Sequence, residues 1–258
     1  QRVFVGNVKY KDAVGKTKIM GDRIQYTHTL RYDTFPQTYF IDIGANDGDE
    51  IVKLVEFRDR LFVYKKNKLF VINISSNTDA GWYLEGEFMN RGVTSPHAVV
   101  KTDIGIIWAN EHGLFAFSKG IQKLYEFIKE ETWRNNFNKD QALVGFAPKK
   151  NQVMIIKDAS NMSDAGYLYD LQTKSFVNID DTAIAFGVND NNRPISNLIT
   201  LNNELCCFTD DTVYVSGSNR LVFLDFDTDV AQAIDFITLD FTQGGESVDK
   251  KYYSVYIT

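Results

Sequence analysis

The chain has 258 residues, 44% hydrophobic and 14% aromatic, with a formal net charge of −6. This content is enough for a packed core and excludes a disordered or low-complexity chain; the acidic balance argues against a dedicated DNA- or RNA-binding domain, which carries a basic footprint. No apolar run approaches the ~20 residues of a membrane-spanning helix, no signal-peptide pattern is visible, and the adjacent Cys206 and Cys207 make no disulfide framework.

In chain order, residues 2–8 and 22–29 read as a strand pair around a Lys/Gly-rich stretch that reads as an exposed loop. A third short strand follows Pro36 over 39–43, and Asn46-Asp47-Gly48-Asp49 reads as a hairpin turn. Strands are expected over 51–57, 61–65, 69–74 and 82–88, then over 97–102, 105–109, 114–118 and 121–124. A short helix or loop insertion follows, with its apolar residues at Tyr125, Ile128 and Trp133. A fourth unit has strands over 142–147, 152–157, 166–171 and 175–179, with a lengthened middle turn. A fifth has strands over 195–201, 204–209, 212–217 and 220–226, turning at Asp210-Asp211. Two further strands, 233–241 and 251–257, form a tail.

The second and third units repeat. Leu69 and Leu114, Phe70 and Phe115, Phe62 and Ile107, and Tyr64 and Ala109 are each 45 residues apart. A repeat of about 40–50 residues made only of short strands is the signature of propeller blades. In each unit the second strand has the longest apolar run, such as Leu61-Phe62-Val63 or Val153-Met154-Ile155-Ile156. Strands buried on both faces read this way, so Phe62, Ile107, Ile155 and Cys206 or Cys207 are assigned to blade cores. The expected fold is an all-β propeller of four-stranded blades over residues 1–230, about five units being visible. Residues 231–258 are expected to be exit strands leading toward a further β domain. The chain starts at Gln1 and stops inside a strand-like run, and is read as a piece of a longer polypeptide.

Candidate chemistry is sparse. The acidic stretch 42–50 invites a calcium reading, but an EF-hand loop needs Gly at its sixth position, where Asp47 stands, and Gly48 is one late. Glu85 and Glu87 share a strand face, which more often means a solvated face than a catalytic pair. His28, His97 and His112 share no metal spacing, and no phosphate loop, nucleophile elbow or Cys-x-x-Cys motif occurs. No catalytic residue, metal ligand or cofactor-binding residue is therefore assigned. Lys65-Lys66-Asn67-Lys68 and Lys149-Lys150 read as solvated turn charge. Trp82, Tyr83 and Trp133 are read as exposed aromatics for partner or glycan contact, packing being the simpler role.

Several segments together resemble a family. They are residues 21–28 (Gly-Asp-Arg-Ile-Gln-Tyr-Thr-His), Phe35-Pro36, residues 46–51 (Asn-Asp-Gly-Asp-Glu-Ile) and residues 58–65 (Arg-Asp-Arg-Leu-Phe-Val-Tyr-Lys). Residues 92–100, 103–109, 237–241 and 250–256 continue the pattern. This order of blocks is similar to that of propeller-bearing structural proteins of tailed bacteriophage virions, His28 standing where the family often has Ser. The resemblance implies a non-enzymatic tail component, most like the nozzle or muzzle ring of short-tailed phages. Such a component is located in the virion, assembled in the host cytoplasm, packed as a homo-oligomeric ring with other tail proteins, and passed by phage DNA. A glycan-binding tail adhesin is the alternative, and a propeller glycosidase or lyase a third reading. A carboxylate pocket at the axis favours the enzyme, a shallow aromatic rim the adhesin, and broad contact surfaces the structural part.

Overall fold

The computed structural model describes residues 2–124, 128–158, 166–179, 197–211 and 218–223. The chain divides into two units, Gln1–Asp227 and Thr228–Thr258. All described residues lie in the first, so the tail strands expected over 233–241 and 251–257 lie outside them, as do residues 125–127 and the strand expected over 212–217.

Five antiparallel sheets follow one another. The first contains β1 (Phe4–Lys11), β2 (Thr17–Tyr26) and β3 (Phe40–Asp42). The second contains β4 (Ile51–Phe57), β5 (Arg60–Lys65), β6 (Lys68–Asn73) and β7 (Tyr83–Met89). The third contains β8 (Val99–Lys101), β9 (Ile106–Asn110), β10 (Gly113–Phe117) and β11 (Ile121–Lys123). Helix α1 (Glu130–Asn136) leads to the fourth sheet, β12 (Leu143–Ala147), β13 (Gln152–Ile156), β14 (Gly166–Asp170) and β15 (Phe176–Ile179). The fifth shows β16 (Ile199–Leu201), β17 (Glu204–Asp211) and β18 (Ser218–Phe223). In every sheet, strand order in space follows strand order in sequence.

The alternation of side chains across a strand decides how the sheets stack. On β5, Leu61 and Val63 join an apolar cluster with Ile24 and Ile43 of the first sheet's side. Phe62 and Tyr64, on the opposite face, join a cluster with Ile107, Trp108 and Phe115 of the third sheet. On β13, Val153 and Ile155 belong to that same central cluster, while Met154 and Ile156 pack with Leu205 and Cys207 of the fifth sheet. β5 and β13 are thus covered on both faces, which is why they read as unbroken apolar runs. Phe62, Ile107, Ile155, Cys206 and Cys207 are all buried to within 1% of their surface.

Hydrogen bonds also link the first strands of sheets one and two, two and three, and four and five. Asn7 donates to the Ile51 carbonyl at 3.1 Å, Lys53 Nζ to the Val99 carbonyl at 2.8 Å, and Thr200 Oγ1 to the Phe146 carbonyl at 2.7 Å. Face-to-face four-stranded meanders joined along their first strands are blades of a β-propeller. Among the described residues no helix is long and apolar enough to cross a membrane.

Three expectations need correction. The stretch after residue 8 is not a loop: β1 and β2 stay paired from Phe4↔Tyr26 to Lys11↔Thr17, forming a long hairpin. The Asp47-Gly48 turn closes no hairpin, because β3 pairs only with β2 and β4 with β5; it connects one sheet to the next. Asp210 and Asp211 are strand residues opposite Asn219 and Ser218, so the fifth unit does not turn there.

Candidate functional site

A wide concavity lies between the outer parts of the first two sheets. Tyr26, Phe40 and Ile41 form one wall, and Trp82, Tyr83 and Leu84 the other, around a volume of about 440 Å³. The chain builds it from β2 and β3 on one side. On the other it uses the turn after β6, where a short 3-10 turn, Asp79–Gly81, delivers Trp82 to the start of β7. Tyr26 stacks on Tyr39 at 5.3 Å between ring centres and meets Trp82 edge-on at 4.9 Å. The Arg2 guanidinium lies 5.2 Å from the centre of the Trp82 ring.

Two polar groups of this groove are already used. The Tyr26 hydroxyl donates to Asp79 Oδ2 at 2.7 Å, and Trp82 Nε1 donates to the Ser76 carbonyl at 2.9 Å. Burial, reinforced by the Asp79 carboxylate, pushes the Tyr26 phenol up to about 12. The same hydrogen bond holds the Asp79 carboxyl below its ordinary value. A sugar site needs polar groups aimed at the ligand as well as aromatic faces; here they are aimed at each other. Tyr83, by contrast, is 57% exposed at the groove's rim.

Further apolar side chains are exposed along β7. Leu84, Phe88 and Met89 are exposed beyond Tyr83. The intervening carboxylates are held in ion pairs, Glu85 with Arg60 at 2.7 Å and Glu87 with Lys68 at 3.0 Å. The Arg60 guanidinium keeps the Glu85 carboxyl below the usual range.

Of the three aromatics singled out in the sequence, Trp82 and Tyr83 share this groove and Trp133 does not. Trp133 is 1% exposed. Helix α1 inserts it into the central core, where it stacks on Phe137 and Tyr167 and donates to the Asn110 carbonyl. The exposed reading of Trp133 is therefore wrong: the insertion it lies on is a plug for the core, and the indole anchors it.

The acidic stretch and the lysine cluster, read separately in the sequence, meet in space. Lys65 is fully buried, not a solvated turn residue. Its ammonium donates to Asp22 Oδ1 at 2.7 Å, Asp47 Oδ1 at 2.9 Å and the Gly44 carbonyl at 3.1 Å. Asp49 completes the cradle, accepting from the backbone amides of Lys66 and Asn67, both at 2.9 Å. An internal ammonium stands where a cation-binding reading of this loop would place its ion. The arrangement is structural: it ties the β3–β4 connection to the β5–β6 turn. A second, polar cavity beside it, lined by Lys66, Asn90 and His112, has a volume of only about 30 Å³, room for a water but not for a sugar.

Sequence reasoning missed the β1–β2 arm. Every residue from Lys9 to Ile19 except Asp12 is exposed. The available signal was Lys9-Tyr10-Lys11 and Thr17-Lys18-Ile19 flanking a Gly15 turn.

No family model matches the chain, and no curated protein matches it. Among solved structures it is similar to the crystal structure of Kluyvelomyces marxianus Hsv2, with a TM-score of 0.43 and 10% identity over 76% of this chain and 62% of that one. It is also similar to the N-terminal domain of Nup159, with a TM-score of 0.42 and 10% identity over 78% of this chain and 52% of that one. The chain spans less than two thirds of the length of either. The propeller fold rests on the stacking of the chain's own sheets.

Proposed function

We propose that this chain is a non-enzymatic packing module, a structural component of a bacteriophage tail of the nozzle or muzzle type. The observation that carries the packing role is the set of exposed apolar side chains on the outer strand β7, next to the Trp82–Tyr83 groove, with the intervening carboxylates held in ion pairs. Tyr83, Leu84, Phe88 and Met89 leave apolar side chains exposed along this outer strand, suited to burial by a protein neighbour. The virion assignment rests on the resemblance of the sequence blocks, and the acidic balance suits a wall past which DNA slides without sticking.

Two measurements on one preparation test this reading. Purified tailed particles should contain the full-length protein at a fixed, multi-copy stoichiometry by mass spectrometry. The isolated chain should release no product from bacterial surface polysaccharides. Turnover that disappears on changing Glu85 or Glu87, or absence of the protein from particles, would replace this reading with an enzymatic one or with a propeller of another context.

A further inference from the structure

We infer that the β1–β2 hairpin is a membrane-contact arm whose tip enters the interface of an anionic phospholipid surface. The inference goes beyond the packing reading above and uses a different element from β7. The arm begins at Asn7, which takes a left-handed backbone (φ 54°) where the strand register shifts between Gly6 and Val8. The Asn7 side chain is clamped to the second sheet through the Ile51 carbonyl and Glu50. Beyond that clamp the ribbon pairs only with itself among the described strands, because β3 reaches no further along β2 than Arg23. Its apex, Ala13-Val14-Gly15, stands open. Val14 is 91% exposed, and a Cβ added to Gly15 would meet nothing within 4 Å.

Three features of the arm fit a lipid surface. The first is an apex whose amides are satisfied. Asp12 Oδ1 accepts from the amides of Val14 and Lys16 at 3.1 and 2.9 Å, and the Asp12 carbonyl accepts from the Gly15 amide at 2.9 Å. An apex closed in this way can leave water without stranding those donors. The Asp12 carboxylate is itself countered by Lys18, 3.9 Å away. The second feature is charge. Lys9, Lys11, Lys16 and Lys18 against the single Asp12 give the ribbon +3. Lys9 acts on Glu50 only as a second cation, because Glu50 is paired with Lys66 at 2.7 Å. Lys11 and Lys16, which flank the apex, make no ion pair among the described residues. An anionic leaflet attracts lysines within about a Debye length, so those beside the apex count most. The third feature is placement. The lysines lie within three cross-strand pairs of the Asp12–Lys16 closure, roughly 10 Å of ribbon. That matches the ~5–10 Å to which interfacial segments sink, with lysine stems reaching back to the headgroups. Tyr10, 42% exposed, and Ile19, 57% exposed, lie on opposite faces, each opposite a lysine, Lys18 and Lys9 respectively. Apolar side chains flanked by lysines suit the boundary between acyl chains and headgroups. A nucleic-acid occupant is less favoured, because the foremost residues Ala13, Val14 and Gly15 offer no side-chain hydrogen bond to phosphate or base.

The test uses the full chain and vesicles of phosphatidylcholine, alone or mixed equally with phosphatidylglycerol. Co-sedimentation should show binding to the anionic vesicles, weakened by salt, and far less to the neutral ones. A double variant, Lys11→Glu with Lys16→Glu, should bind at least about tenfold more weakly. Val14→Asp should also weaken binding, through the apex. Both variants should keep the parent's melting curve, because these residues are exposed. In Val14→Trp, phospholipids brominated on their acyl chains should quench the added indole beyond any quenching of the parent. No binding to anionic vesicles, binding that both variants retain, or an added indole left unquenched on bound vesicles would each overturn the inference. So would a parent that ignores vesicles and binds a short DNA duplex through Lys11 and Lys16. Packing through β7 is untouched by any of these results.

Discussion

Removing the ammonium of Lys65 would leave Asp22 and Asp47 facing each other and the Gly44 carbonyl without its donor. Breaking a buried ion pair by deleting one partner costs more than the pair contributes, because the remaining charges stay desolvated. Lys65→Met keeps the apolar stem and should destabilise by about 3 kcal/mol, measured as a shift in urea midpoint. The same cluster gives a pH dependence. Burial pushes the Asp47 carboxyl up, but the Lys65 hydrogen bond, the Asp49 amide and the charges of Lys65 and Lys68 outweigh it, leaving its pKa below the ordinary value. A carboxylate depressed in the folded state stabilises above the ordinary range, about 3.9, and that stability is lost as pH falls through the depressed value. Asp47→Asn should therefore lower stability at neutral pH and flatten its acid limb below about pH 4. In the central core, Phe62 is fully buried, edge-on to Phe117 at 4.7 Å. Phe62→Ala should cost about 3–5 kcal/mol as a large-to-small change between two sheets; a cost under 1 kcal/mol would mean that the sheets do not press on each other there.

The hairpin joining β4 to β5 turns on Arg58 and Asp59, both left-handed (φ 48° and 59°). Two successive positive φ values define the turn type that favours Asn-Gly, yet neither residue here is glycine. Asp59→Gly should raise stability by about 0.5–1 kcal/mol, read in thermal unfolding. The strand pattern around this turn was legible in the sequence. β4 agrees with the expected 51–57, and the 45-residue spacing maps β5 onto β9 and β6 onto β10. Alternation and apolar runs report burial, and these strands are buried. The arm was not legible for the same reason: a ribbon solvated on both faces has no buried side to make a pattern. Lys65 was misread because its partners Asp22 and Asp47 lie 43 and 18 residues away, and no local rule pairs them. Trp133 was misread because a short insertion gives no hint of which way it folds. The groove was half legible: Trp82 and Tyr83 were named, but Tyr26 and Phe40 come from another sheet.

Taken whole, the sheets form one continuous stack, held by apolar layers between neighbours and by hydrogen bonds along the first strands. A stack of this kind is rigid where it is covered and presents its outer strands and hairpins to whatever lies beside it. Among the described residues, its exposed features are an outer strand with apolar side chains and a solvated hairpin, which suit contact. The central claim is that the protein works by being one of several identical copies packed into a tail. Electron cryomicroscopy of purified particles carrying the full-length protein tests it most directly. The account predicts blade-shaped density repeated in a closed ring around the tail axis, with β7 buried against a neighbour. Density that lacks such a ring, or a ring in which β7 faces solvent, would contradict it.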